Sequence, residues 1–451
     1  MTQAAQPEVA KTLGRLDLVL LKVVAIVNIN NVPPTAVYGQ AALGLWSLAF
    51  LAFFVPEAIA VVVMAKRYPG QGGIYLWIRE EFGPAHGFLA GWCYWVNNLF
   101  YVPVLLVYMA GIFAFGGGAS SAHLVDSRTF VALVALGWLA VVALLNIRGL
   151  AVGKWIQNIG GLGVFLSVGL VLIAAALAWL KGVSHRPPAV AGVSWGMVAS
   201  FSVMCNAFVG CELASTMGDE IKNPGRDLKP AIMIAGAVAL AAYLLVSMAV
   251  LALVPIGDLG VIQGIMQAVG VGARGIGAEW LVGPIAVLMG LAIGGAASAW
   301  FAGSARVPFV AGLTSALPAS LGRLHPTWKS PYVALLTCAV AAGLFTILSL
   351  FGSSVAEAYQ VLLKAAVVIQ LIPFLYLFLG VIRLAGVTRA TRAAGWVGMV
   401  TTGFGLVAAF FPTEDVASVL LFEIKMALGV VGPVAIGWYL FRRAVRAPRP
   451  S

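Results

Sequence analysis

Apolar residues run along this chain in blocks of about twenty, near 16–41, 45–66, 83–115, 129–147, 153–180, 194–216, 230–254, 279–303, 332–351, 357–382, 394–411 and 418–441. A helix of about twenty residues crosses a hydrocarbon core of about 30 Å. The pattern therefore predicts an all-α polytopic membrane protein with about twelve transmembrane helices. Two blocks are interrupted. The first carries Asn28, Asn30, Asn31 and Pro33-Pro34 where the bilayer midplane should lie, and the sixth carries Asn206-Ala207-Phe208-Val209-Gly210-Cys211-Glu212. Proline removes a backbone donor and clashes with the preceding turn, and bare backbone at that depth is tolerated only where it lines a protein cavity. A matched pair of discontinuous helices five spans apart points to an inverted repeat with its binding site between the halves. The expected organisation is a tail at 1–15, a first five-helix repeat at 16–181, a second, inverted one at 194–384, two peripheral helices at 394–441 and a basic tail at 442–451.

Composition supports the membrane reading: 61% of residues are hydrophobic and 10% charged, against about a quarter charged in soluble domains. The net charge of +11 raises the question of nucleic acid. The basic residues are not pooled, however. In a twelve-span frame most of them, Lys22 and Arg306 included, fall on one side, and only Arg128, Lys181, Arg186 and Arg274 on the other. That asymmetry predicts cytoplasmic termini in the cell membrane and no nucleic-acid partner. The first fifteen residues are polar and no cleavage pattern follows, so no signal peptide is expected.

Cys93, Cys205, Cys211 and Cys338 fall inside predicted spans with spacing that suits neither zinc nor disulfides. Gly116-Gly117-Gly118 and Gly160-Gly161 lack the Lys and Ser/Thr of a phosphate loop, so they read as loop and helix-contact glycines, and no cofactor is expected. His86, His123, His185 and His325 fall in predicted loops and no H-E-x-x-H occurs, which argues against an intramembrane enzyme. A channel would show rings of like charge or a repeated filter motif, and neither is present.

The stretch from Phe208 to Ile232, FVGCELASTMGDEIKNPGRDLKPAI, resembles the amino acid-polyamine-organocation superfamily of transporters, as do Arg67-Tyr68-Pro69-Gly70-Gln71-Gly72-Gly73-Ile74-Tyr75-Leu76-Trp77 and the segments Ala316-Leu317-Pro318, His325-Pro326 and Ser330-Pro331-Tyr332-Val333-Ala334. Asn30-Asn31-Val32-Pro33, Tyr38-Gly39 and the Trp92 to Pro103 stretch look most like its glutamate:GABA antiporter group, while Pro56-Glu57-Ala58 is similar to plant polyamine and amino-acid permeases. The resemblance implies two inverted five-helix repeats of the LeuT type. It also implies secondary transport of amino acids or related amines by alternating access, possible proton linkage, and a substrate between the broken helices.

An amino acid presents a carboxylate and an ammonium, and each half of a broken helix offers a partner for one of them. Many relatives place a Gly/Ser-rich run at the first break. Here Asn30, Asn31, Val32, Pro33 and Pro34 stand in its place, so either asparagine side chains substitute or the ligand lacks a standard α-carboxylate. The candidate substrate site is Asn30, Asn31, Val32, Asn206, Ala207, Phe208 and Gly210, with Trp300 over it and Asn97 and Tyr101 lining it; Gly210 is expected to let backbone approach ligand.

Glu212 and Glu57 are carboxyls at membrane depth, where a charge costs about 2.5–3.5 kcal/mol, and each calls for a partner or for a role in proton coupling. Glu212 also matches, by resemblance, a gating or proton-sensing carboxylate. Lys364, with Gln360 and Glu357 on the same stripe, either pairs with a membrane carboxylate or snorkels to the outer interface, the second being favoured. Some proton-driven relatives carry a lysine on the fifth span where sodium would sit; this one reads Asn158-Ile159-Gly160-Gly161-Leu162 without it. Sodium stays open through Ser298 and Ser304, and the oligomeric state is not legible.

Overall fold

All twelve apolar blocks are helical in the computed structural model, which describes residues 11–183, 194–313, 317–350, 354–411 and 419–446. His185, Arg186 and Ala316 lie outside the described residues. The first block forms α1 (Arg15–Ile26) and α2 (Val32–Ala36), and the second forms α3 (Ala41–Ala49), a π-helical turn (Phe50–Phe54) and α4 (Val55–Arg67). A short α5 (Ile74–Phe82) leads into α6 (Pro84–Phe113), α7 (Arg128–Ile147) and α8 (Leu150–Leu180). The sixth block is split into α9 (Trp195–Ala207) and α10 (Leu213–Thr216). After it come α11 (Pro224–Leu253), α12 (Gly264–Gly275), α13 (Val282–Ser304), α14 (Arg306–Leu313), α15 (Tyr332–Leu350), α16 (Val355–Arg383), α17 (Arg389–Ala408) and α18 (Val419–Arg446).

Among the described residues nine helices are long and apolar enough to cross a membrane. The sixth block falls short of that length because it is broken. The helix at the centre is α6, buried over 89% of its apolar window and packed along α13 and α16. A helix apolar all round belongs in a core, and this one supplies it. By contrast α7 and α15 are only one-third buried, and α8 leaves Trp155, Ile159, Leu162 and Phe165 exposed, as lipid-facing helices do.

Two local devices place the site. A Cβ on Gly160 would come within 2.6 Å of Gly295 Cα, so α8 and α13 meet backbone to backbone and bring α1, which packs on both, into the centre. In the second span the π-turn widens the helix just ahead of Pro56, whose ring a regular α-turn would press against the carbonyl four residues earlier. The residue it turns inward is Glu57, fully buried.

Candidate functional site

Helix 1 breaks at Val27 and Asn28, whose ψ angles of 76° and 71° leave helical space. Pro33 and Pro34, expected inside the gap, instead occupy the start of α2, where a missing N–H costs nothing. The sixth block (helix 6, made of α9 and α10 and distinct from α6) breaks over Phe208 to Glu212. Gly210 sits there at φ +139°, and a Cβ on it would meet Ile26 Cγ1 at 3.1 Å and Ala25 at 3.3 Å. Its missing side chain thus lets one break approach the other, and the atoms it faces belong to helix 1.

Breaking a helix inside a membrane orphans carbonyls, and here Asn28 and Tyr243 satisfy them. From α11, Tyr243 Oη lies 2.6 Å from the Ile26 carbonyl and 2.9 Å from the Ala207 carbonyl, and accepts from the Asn28 amide at 2.9 Å. Asn28 Nδ2 donates to Ala25 at 2.7 Å and to Ala207 at 3.3 Å. Trp300 Nε1 donates to the Ala25 carbonyl at 3.3 Å, and its ring meets Tyr101 edge-on at 5.4 Å. Asn30 exchanges two hydrogen bonds of 3.2 Å with Tyr359 of α16. Four buried polar atoms are left without a partner beside this stretch: Asn28 Oδ1, Asn31 Oδ1, Tyr101 Oη and Tyr108 Oη.

One turn before the first break is a cluster of ionisable groups. Lys22, Glu57 and Glu212 are each 0% exposed. Lys22 Nζ donates to the Cys211 carbonyl, inside the break of helix 6. Glu212 accepts from Tyr94 Oη at 2.9 Å and from the Gly210 amide at 3.0 Å. Glu57 accepts no well-formed hydrogen bond, but its carboxyl lies close to the Glu212 carboxyl and the Cys211 backbone amide, with Lys22 within electrostatic reach. The charge pattern along the chain places Lys22 among the cytoplasmic charges. It lies instead on the buried face of α1, with the neighbouring positions Leu18, Leu21 and Ala25.

A family model described as amino acid permease matches residues 13–431. The chain belongs to that family. An uncharacterized transporter of Legionella pneumophila is 26% identical over 96% of this chain and 97% of its own. A branched-chain amino acid permease of Bacillus subtilis is 24% identical over 73% of each chain. A probable agmatine/putrescine antiporter of Lactococcus lactis is 27% identical over 63% of this chain and 61% of its own. This member of the family is therefore a multi-pass membrane protein and a secondary transporter of a small molecule, a permease.

In the permease, the sequence candidates gather unevenly. Asn30, Asn31, Val32, Asn206, Ala207, Gly210 and Trp300 are buried at or beside the two breaks. Phe208 turns away into an aromatic cluster with Trp46, Phe50, Phe54 and Tyr243, centroids 5.1 to 5.8 Å apart. Asn97 is buried on α6 between Tyr94 and Tyr101. Lys364 is 4% exposed and donates to the Phe411 carbonyl at 3.5 Å, just past the end of α17. Ser298 accepts from Asn146 at 3.1 Å, and Ser304 donates to the Phe301 carbonyl at 3.0 Å. His86 lies in the first turn of α6, not in a loop.

Tyr108, Tyr243 and Tyr359 escape the sequence reading. One signal was available: Tyr94, Tyr101 and Tyr108 recur every seven residues and so share one face of α6. The family's loop motifs also acquire a role. Glu220, after helix 6, forms a buried ion pair with Arg306 at 3.0 Å, and Leu13 pairs with Ile221 through backbone hydrogen bonds. Gly72, in the glycine-rich loop before α5, donates to Thr216 of α10 at 3.2 Å. Together with Asp17–Lys154 at 3.0 Å, these contacts strap the lower ends of helices 1 and 6 to their neighbours.

Proposed function

We propose that the permease carries an amino acid or a related amine across the cytoplasmic membrane, its ammonium held between the breaks of helices 1 and 6. The observation that carries this reading is the set of unpartnered buried oxygens beside the first break, Asn28 Oδ1, Asn31 Oδ1, Tyr101 Oη and Tyr108 Oη. The two asparagine oxygens can only accept and so favour a ligand that brings N–H groups, and the two tyrosine hydroxyls are able to accept from the same ligand. Tyrosine and tryptophan rings add faces on which a cation is stabilised. A carboxylate is served less well, because Pro33 and Pro34 remove two amides from the start of α2.

In this reading residues 16–181 and 194–384 are the two inverted repeats, and helices 1 and 6 move as their paired centres. Both termini are cytoplasmic, since the strapped lower ends of helices 1 and 6 share their side with the basic loops. A proton is the coupling ion that the buried carboxyls favour.

A thermal-shift screen of the purified protein against amino acids, agmatine and putrescine tests the ligand class. At a hundred times its Kd a ligand adds about 2.7 kcal/mol to the native state. At least one amine-bearing compound is expected to raise the melting temperature, and simple carboxylic acids without an amine are not. Stabilisation by the acids alone would overturn the reading.

A further inference from the structure

Beneath the two breaks, the cluster of Lys22, Glu57 and Glu212 holds two carboxyl groups and one amine, all 0% exposed. The other titratable groups facing it are Tyr94 from α6 and Cys211 from the break itself. If all three were ionised, the cluster would carry an uncompensated negative charge closed off from bulk solvent. An unpaired buried charge is far costlier than a buried pair. One ammonium balances one carboxylate, so the neutral state of this cluster contains one protonated carboxyl.

The geometry says which carboxyl that is. Glu212 accepts two hydrogen bonds, from Tyr94 at 2.9 Å and the Gly210 amide at 3.0 Å, both of which stabilise a carboxylate. Neither Glu57 oxygen accepts a well-formed hydrogen bond, and its carboxyl lies close enough to Glu212 to donate to it when protonated. Lys22 is anchored on the Cys211 carbonyl, one residue from Glu212, and is the cation that offsets it.

We propose that Glu57 is the proton-carrying group of this permease and that Lys22 is its built-in counter-ion, holding Glu212 ionised. The inference rests on the transport reading above. Lys22 lies on helix 1, Glu57 on the second span, and Glu212 in the break of helix 6. Rearranging the two breaks during transport separates these elements. When Lys22 leaves Glu212 for Glu57, the Glu57 carboxyl releases its proton and Glu212 takes one up, so the cluster stays neutral. One proton enters and one leaves per cycle, and the amine stays an ammonium throughout.

Infrared difference spectroscopy of the full-length protein in nanodiscs, with hydrogen–deuterium exchange, counts protonated buried carboxyls with no substrate present. The wild type is expected to show one such band at neutral pH. Glu57→Gln should abolish it, and Lys22→Met should add a second, because both carboxyls must then be neutral. Lys22→Arg should restore the single band and separates lost charge from misfolding. A band that survives in Glu57→Gln, or a Lys22→Met spectrum equal to the wild type, would overturn the proposal.

Uptake of labelled putrescine into proteoliposomes gives the second readout. In Glu57→Gln the ratio of uptake with and without an inward proton gradient should fall toward one. A wild-type ratio in that variant contradicts the proposal. If the wild type moves neither amines nor amino acids, the transport reading fails, and the band count still decides where the proton resides.

Discussion

Removing a single oxygen from Tyr243 strips two hydrogen bonds from the two helix breaks: the one its hydroxyl proton donates between the Ile26 and Ala207 carbonyls and the one it accepts from the Asn28 amide. At about 0.5–1.5 kcal/mol each, Tyr243→Phe should cost about 1–3 kcal/mol, read as a lower melting temperature with the Trp46 stacking left in place. Gly210→Leu is expected to fail differently. Its side chain would run into Ala25 and Ile26 at a φ of +139°, so it should unfold the contact between the breaks before it could report on a ligand. Glu212→Gln is expected to fold. Its carbonyl oxygen can accept from Gly210, and its amide can donate to a Tyr94 hydroxyl that is free to rotate. With Glu212 neutral, Lys22 pairs with Glu57, and transport should lose its pH dependence as it does in Glu57→Gln. A variant that keeps the wild-type pH profile of uptake would remove Glu212 from the coupling cluster.

The broken helices were legible in the sequence because asparagine and paired prolines in an apolar run are costly at membrane depth unless the helix opens there. Their registers were not. Proline pairs mark where a helix cannot continue through its own hydrogen bonds, but they also make good first-turn residues, and here the second role wins. Lys22 is misplaced by pattern for a related reason: a lysine within two turns of a helix start looks interfacial, and only packing against helix 6 shows that its side chain turns inward. Tyr243 and Tyr359 come from helices more than two hundred residues beyond the break that they serve, a separation that local pattern cannot bridge.

At the other end of the same helices, Glu220–Arg306 is a buried pair, so Glu220→Gln should cost about 3–5 kcal/mol by leaving Arg306 uncompensated. If that pair latches helix 6, the variant should raise the rate at which a thiol reagent modifies buried Cys211, with Cys93, Cys205 and Cys338 replaced by serine. An unchanged rate would make the pair a stabilising contact without a gating role.

At the scale of the whole molecule, the alternation of charge between loops and the burial of the site describe a protein closed around its centre in a bilayer. Every candidate residue at the breaks is at most 5% exposed, so a ligand can reach them only after helices 1 and 6 move. Orientation is testable apart from transport. Cysteines at Ser120 or Arg274, both exposed, should react with an impermeant reagent from outside intact cells, and one at Gly225 should not. The reverse pattern would invert the topology. Positions inside α12 do not suit such labelling, since that helix buries Ile265, Met266, Ala268 and Val269.

The central claim is that an amine-bearing ligand is held between the two breaks and carried across. Counterflow in proteoliposomes, with labelled ligand outside and the same ligand preloaded inside, tests it most directly when wild type and Asn31→Leu are compared. A hydrogen bond to a charged ligand is worth about 1.5–3 kcal/mol, so Asn31→Leu should weaken the apparent affinity at least about tenfold. Accumulation stimulated by preloading in the wild type, with that loss in the variant, is the predicted result; stimulated uptake with the same affinity in both would contradict it.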